Sequence, residues 1–179
     1  GFAGYTDSIG PFRFISTTVT VPPVIGGSGV VIGLSHGLPV GEPFAELEVE
    51  PGPGGTVSAH VSPGGYGRLP LSPRVGDQLA LSIYYDQHGH DYFTANDTTQ
   101  HITRTIRLTA GSVIYNHGFV IGVGGWLDYP PQADTRLLQF TGTQQDSNAQ
   151  APIVVDTVSS AGNARIALCL TQKPFDDAR

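Results

Sequence analysis

The sequence predicts an all-β protein in which two antiparallel sheets pack face to face, and three observations carry that prediction. Glycine (24) and proline (14) are abundant over 179 residues while hydrophobic content is an ordinary 39%, a composition of many turns rather than of disorder. Short runs of alternating polarity recur along the chain, roughly ten in number, separated by turn residues. No segment combines a helical period with caps at both ends. A single domain, residues 1–179, is expected, long enough to bury a core without disulfide staples. The sheets must twist, so one outer face becomes concave and offers a groove.

Each element follows from local chemistry. After a glycine-aromatic lead-in, residues 12–21 read as a strand that Pro22-Pro23 stops, because proline cannot donate to a central ladder. Residues 26–29 form a glycine-rich loop, 30–34 a short apolar strand and 38–43 a loop. Residues 44–50 alternate strictly: Phe44, Glu46, Glu48 and Glu50 on one side, Ala45, Leu47 and Val49 on the other. Residues 56–62 are the hairpin partner, followed by a Gly/Pro/Ser-rich loop at 63–73. Strands at 78–85 and 91–95 flank a tip at 86–90, and 102–108 alternates again. Residues 113–123 are the longest apolar stretch, broken at Asn116-His-Gly118, and 126–134 is a loop. Residues 136–141, 152–159 and 164–171 close the chain as strands.

Composition excludes several functions. Net charge is −6, and among nine basic residues only Lys173 is a lysine, so no basic stripe invites nucleic acid or an anionic membrane. No apolar run is long enough to span a bilayer. Cys169 is alone, so it forms no intramolecular disulfide; its apolar setting reads as an inert buried thiol. No signal-peptide pattern is present, which fits a cytosolic, a processed or a trimmed chain. The Asn96-Asp-Thr98 sequon matters only in a secreted eukaryotic setting.

The carboxylate strand is the place to look for chemistry. Glu46, Glu48 and Glu50 stand about 7 Å apart along one face, close enough to raise one another's pKa. That spacing suits either a solvated acidic face or a pair of acid-base carboxylates. If residues 51–55 form a simple turn, His60 shares the face, and Glu46, Glu48 and His60 become candidate catalytic residues. His88-Gly-His90, flanked by Asp86 and Asp91, has ligand-type spacing but lacks the further ligands of a metal site; a hairpin tip explains it, and no metal or cofactor is expected. Ser35-His36 and Ser62 lack a nucleophile elbow, and the glycine-rich runs lack a following helix for phosphate.

In order along the chain, several landmarks resemble the glutamic peptidase (eqolisin) family. They are Thr17-Thr-Val-Thr-Val-Pro22, Val31-Ile-Gly-Leu-Ser-His-Gly37, Leu71-Ser-Pro-Arg-Val-Gly-Asp77, Tyr115-Asn-His-Gly-Phe-Val-Ile121 and the segment from Gln132-Ala-Asp134 to Phe140-Thr141. The resemblance implies a concanavalin-like, jelly-roll-like β-sandwich and places His36 and His117 near the groove; with Asn116 and Glu50 they are the candidate ligand-binding residues. It also implies a loss. The family's catalytic glutamate matches Gly118, and the strand that should bear its catalytic glutamine, residues 45–50, has none. A glycine supplies no side chain for proton transfer or oxyanion stabilisation.

The expected function is therefore that of a glutamic-peptidase-like sandwich without the peptidase residues, binding a peptide, glycan or small molecule in its groove. Two alternatives stay open: a rebuilt acid-base site on Glu46 and Glu48 with His60, and an acid-acting glutamic-type peptidase. An extracellular location is favoured by low charge and the resemblance, with the cytosol still open. Oligomeric state is not set by the sequence.

Overall fold

The structure, a computed structural model, describes residues 2–7, 11–21, 29–37, 41–50, 55–123, 139–144, 148–149, 153–154 and 173–174. Within them the chain forms β1 (Phe2–Asp7), β2 (Phe12–Thr20), β3 (Gly29–Gly37), β4 (Gly41–Glu50), β5 (Thr56–Ser62), β6 (Gly65–Leu69) and β7 (Gln78–Tyr85). Then come β8 (His90–Asp97), β9 (Ile102–Thr109), β10 (His117–Val123), β11 (Gln139–Gln144), β12 (Asn148–Ala149), β13 (Ile153–Val154) and β14 (Lys173–Pro174). No helix occurs among the described residues.

Two antiparallel sheets result. The first runs β14-β1-β10-β3-β4-β5-β6; the second runs β12-β11-β2-β7-β8-β9, with β13 also pairing β11. The period-two pattern sends one face of each into a shared core. From the first sheet come Val30, Ile32 and Leu34 on β3, Ala45, Leu47 and Val49 on β4, and Val57, Ala59 and Val61 on β5. From the second come Ile15 and Val19 on β2, Leu79, Leu81 and Ile83 on β7, and Phe93 and Ala95 on β8. Each large apolar side chain buried this way contributes about 1.5–3 kcal/mol. The predicted sandwich is present, with β4 inside the first sheet, the third strand from one edge.

Three elements depart from the sequence reading, the first being β4, which begins at Gly41 inside the expected loop at 38–43. Residues 65–69, inside the expected loop at 63–73, form the edge strand β6, paired with β5 from Val57↔Leu69 to Val61↔Gly65. Its core-facing side is mostly glycine, so no alternation marks it, and a Cβ on Gly67 would overlap Ile106 of β9 across the sandwich. The lead-in is also a strand: β1 pairs with β10 over Phe2↔Val123 to Asp7↔Gly118. Residues 124–138, Cys169, the expected strand at 164–171, that at 152–159 except for 153–154, and the expected turn at 51–55 except for residue 55 lie outside the described residues.

Candidate functional site

Antiparallel register turns the outer face of the first sheet into a grid. One rung crosses five strands: Phe119 of β10 pairs with Gly33, Gly33 with Glu46, Glu46 with His60, and His60 with Tyr66. The next rung holds Val31, Glu48, Ser58 and Arg68. On the other side His117 pairs with Ser35, Ser35 with Phe44, and Phe44 with Ser62. The alternation that buries Ala45, Leu47 and Val49 therefore puts Glu46 and Glu48 on this face, with His60 directly across from Glu46. All four glutamates of the chain, Glu42 included, lie on β4.

Gly33 shapes the centre. With no side chain between β10 and β4, the Phe119 ring lies over Gly33, and a Cβ there would overlap the ring. Phe119 is fully buried although it belongs to the outer face. Glu46 is thus half-buried beside an aromatic wall on one side and His60 on the other. The His60 ring stands edge-on to Phe44 at 5.0 Å and to Tyr66 at 6.5 Å, and Tyr66 is exposed.

The electrostatics follow from that burial. Loss of water pushes the Glu46 carboxyl up to about 7, and the charge of Glu48 adds to the rise. Glu48 is raised as well, by burial first and by Glu50 second, while His60 opposes the shift. Glu50 differs: it is exposed at the strand end and accepts a hydrogen bond from Thr56 at 3.1 Å. Glu42 accepts one from Ser62 at 2.6 Å. Among the described residues neither Glu46 nor Glu48 has a salt-bridge partner, and for Glu46 desolvation goes uncompensated.

The histidines predicted near the groove collect at one corner. His36 sits where β3 and β4 slip register, with Nδ1 3.3 Å from both the Ile114 carbonyl and the Asn116 Nδ2. His117 lies on the outer side of β10; burial, and then His36, hold its pKa down, and its Nδ1 is buried without a partner among the described residues. Gly118 pairs with core-facing Leu34 and is buried, so the position matched to the catalytic glutamate lies on the core side of β10. His117, Phe119 and Ile121, which pairs with Val31 in the rung of Glu48, are the β10 positions in register with the carboxylate face.

Other sequence candidates go elsewhere. His90 Nδ1 lies 3.0 Å from Asp86, whose second oxygen accepts from the backbone N–H of His88 and of His90, closing a hairpin tip. Asp91 turns into the core, where Tyr115 donates to it. Among the described residues no group of three His, Cys, Asp or Glu could hold a metal. Ser35 is buried and donates to the Gly37 carbonyl. Gly33, Phe119 and Tyr66 were missed by the sequence reading; only pairing register, which a sequence does not print, brings them to Glu46.

The sequence matches no protein-family model, and no curated protein matches it. Solved structures do match in shape. Scytalido-glutamic peptidase with a peptide-based transition-state analogue superposes with a TM-score of 0.62 at 16% identity, covering 94% of this chain and 98% of that one. SCP-B, a member of the eqolisin family in complex with the tripeptide Ala-Ile-His, gives 0.51 at 15% identity over 97% and 96%. Identity this low speaks for architecture alone. The chain has the eqolisin-like β-sandwich fold of the glutamic peptidases.

Proposed function

We propose that the outer face of the first sheet binds an extended peptide, that protonated Glu46 donates a hydrogen bond to it, and that the protein works outside the cell without the family's peptidase chemistry. The observation that carries this reading is the rung Phe119–Gly33–Glu46–His60–Tyr66, which sets one carboxyl of pKa about 7 between aromatic and imidazole side chains. A carboxyl that keeps its proton can donate to a peptide carbonyl, which an ionised one cannot. Two structures of like fold hold a peptide-based analogue and a tripeptide, which supports peptide as the ligand class. The β10 positions in register with this face, His117, Phe119 and Ile121, include no carboxylic acid, which supports the loss of peptidase chemistry.

A second reading rests on the difference between Glu46 and its strand neighbour Glu48. Two carboxyls about 7 Å apart, one holding its proton more strongly, form the acid-base pair that hydrolysis requires. One experiment separates the two. A casein-derived peptide mixture is titrated onto the protein between pH 4 and pH 8, and the peptides are then weighed by mass spectrometry. Binding that strengthens below pH 7 and disappears in Glu46→Ala, with peptides intact, supports the first reading. New cleavage products that vanish in Glu46→Gln establish the second. No binding at any pH overturns both.

A further inference from the structure

We propose that the opposite side of the molecule, the outer face of the second sheet, is a binding platform for a neutral polysaccharide. Register again lays out rungs. Phe14 pairs with Tyr84 and Tyr84 with Tyr92; Ser16 pairs with Ser82 and Ser82 with Thr94; Thr18 pairs with Ala80 and Ala80 with Asn96. An aromatic row thus borders rows of hydroxyl and amide groups, around an open depression of about 350 Å³.

The chemistry of this face selects its ligand. Tyr84 is 40% exposed, and its ring lies 6.2 Å from that of Tyr92 at 40°, a broad amphipathic surface that stacks on the C–H face of a sugar ring. The small side chains beside it leave room for the ring edge, and their hydroxyls stand one strand spacing apart, about 4.8 Å. Thr94 and Thr105 share a hydrogen bond at 2.8 Å, and Thr103 donates to the Asn96 oxygen at 3.0 Å. The second contact fixes the Asn96 amide and leaves its N–H groups to donate outward. Among the described residues no charged side chain lines the depression, and Arg107 at the end of the aromatic row is the one charge on these rungs, so the depression itself offers an anionic ligand no counter-charge. A neutral polyhydroxyl chain meets the groups present: aromatic rings for stacking, hydroxyls and an amide for hydrogen bonding, and the exposed Arg107, paired with Tyr92, as a further donor.

The test is retention on insoluble polysaccharides. The chain is produced in a host that does not N-glycosylate, because the Asn96-Asp-Thr98 sequon begins on this face. It is then mixed with microcrystalline cellulose, chitin, xylan and a β-1,3-glucan. Retention on at least one is expected, weakened about tenfold in Tyr84→Ala/Tyr92→Ala and unchanged in Glu46→Gln. Thermal unfolding checks that the variants fold; Ser82→Tyr, which fills the depression, gives an independent loss of retention. The proposal is overturned by no retention on any of the four, by retention indifferent to both the tyrosine pair and Ser82→Tyr, or by retention lost in Glu46→Gln, which would move the glycan to the first sheet. None of these outcomes depends on peptide binding at Glu46.

Discussion

Tyr115 donates its hydroxyl to Asp91 Oδ2 at 2.7 Å between the two sheets, and both residues are buried. The second oxygen, Oδ1, has no partner among the described residues. Burial drives the Asp91 carboxyl up to about 7; Asp86 adds to the rise, while the Tyr115 hydrogen bond and His90 oppose it. The core therefore holds an acid that is more comfortable protonated.

The sign of the pH dependence follows. Asp91 keeps its proton in the folded chain up to about pH 7 but loses it in the unfolded chain near 3.8. Its contribution is fully present below the lower value and is lost as pH rises toward the higher, on the order of 4 kcal/mol in all. Urea unfolding measured from pH 4 to pH 8 should show stability falling across that window. Asp91→Asn, which still accepts from Tyr115 and never ionises, should flatten the fall. An unchanged slope would show that Asp91 does not titrate as buried.

Gly33→Ala should cost about 1–3 kcal/mol, because its Cβ would overlap the Phe119 ring, which must shift inside a packed site. Peptide binding should weaken with it, since Phe119 walls Glu46 on that side. Guanidine unfolding and the peptide titration measure the two effects separately. A variant as stable as the parent would mean that the ring does not occupy that space.

Glu46→Gln should preserve folding and abolish the pH dependence of ligand binding near pH 7, because an amide donates at every pH. His60→Ala should leave that pH midpoint close to its parent value while weakening binding through the lost contacts with Phe44 and Tyr66. Isothermal titration across pH 5–8 distinguishes the pair. A pH midpoint that survives in Glu46→Gln would assign the titration to another group.

Asp86→Ala should cost about 1 kcal/mol by opening the tip between β7 and β8, where one carboxylate accepts from two backbone N–H groups. Burial alone would raise Asp86, yet the backbone N–H groups of His90 and His88, with the His90 ring, hold it below the usual range. Amide exchange should quicken at residues 87–90. Equal exchange in both proteins would deny the carboxylate that role.

What the sequence made legible was whatever period two encodes within one strand. Residues 44–50 and 56–62 alternate cleanly, so the carboxylate face and its His60 neighbour are legible in the sequence alone. Strand β6 was hidden because glycine carries no hydrophobic signal. Sequence spacing groups Asp91 with His88 and His90, but its own strand points elsewhere: Asp91, Phe93, Ala95 and Asp97 share the core-facing parity. Gly33 and Phe119 come together with Glu46 from strands far apart in sequence, and no local pattern fixes that pairing.

The position of β4 between β3 and β5 also constrains how the chain can fold. A slip of one residue against either neighbour would turn Glu46, Glu48 and Glu50 into the apolar interior and expose Ala45, Leu47 and Val49. Burying three carboxylates would cost more than the net stability of an ordinary domain. The residues proposed to meet ligand thus act as a gauge during folding, rejecting every odd-numbered misalignment of the strand that carries them.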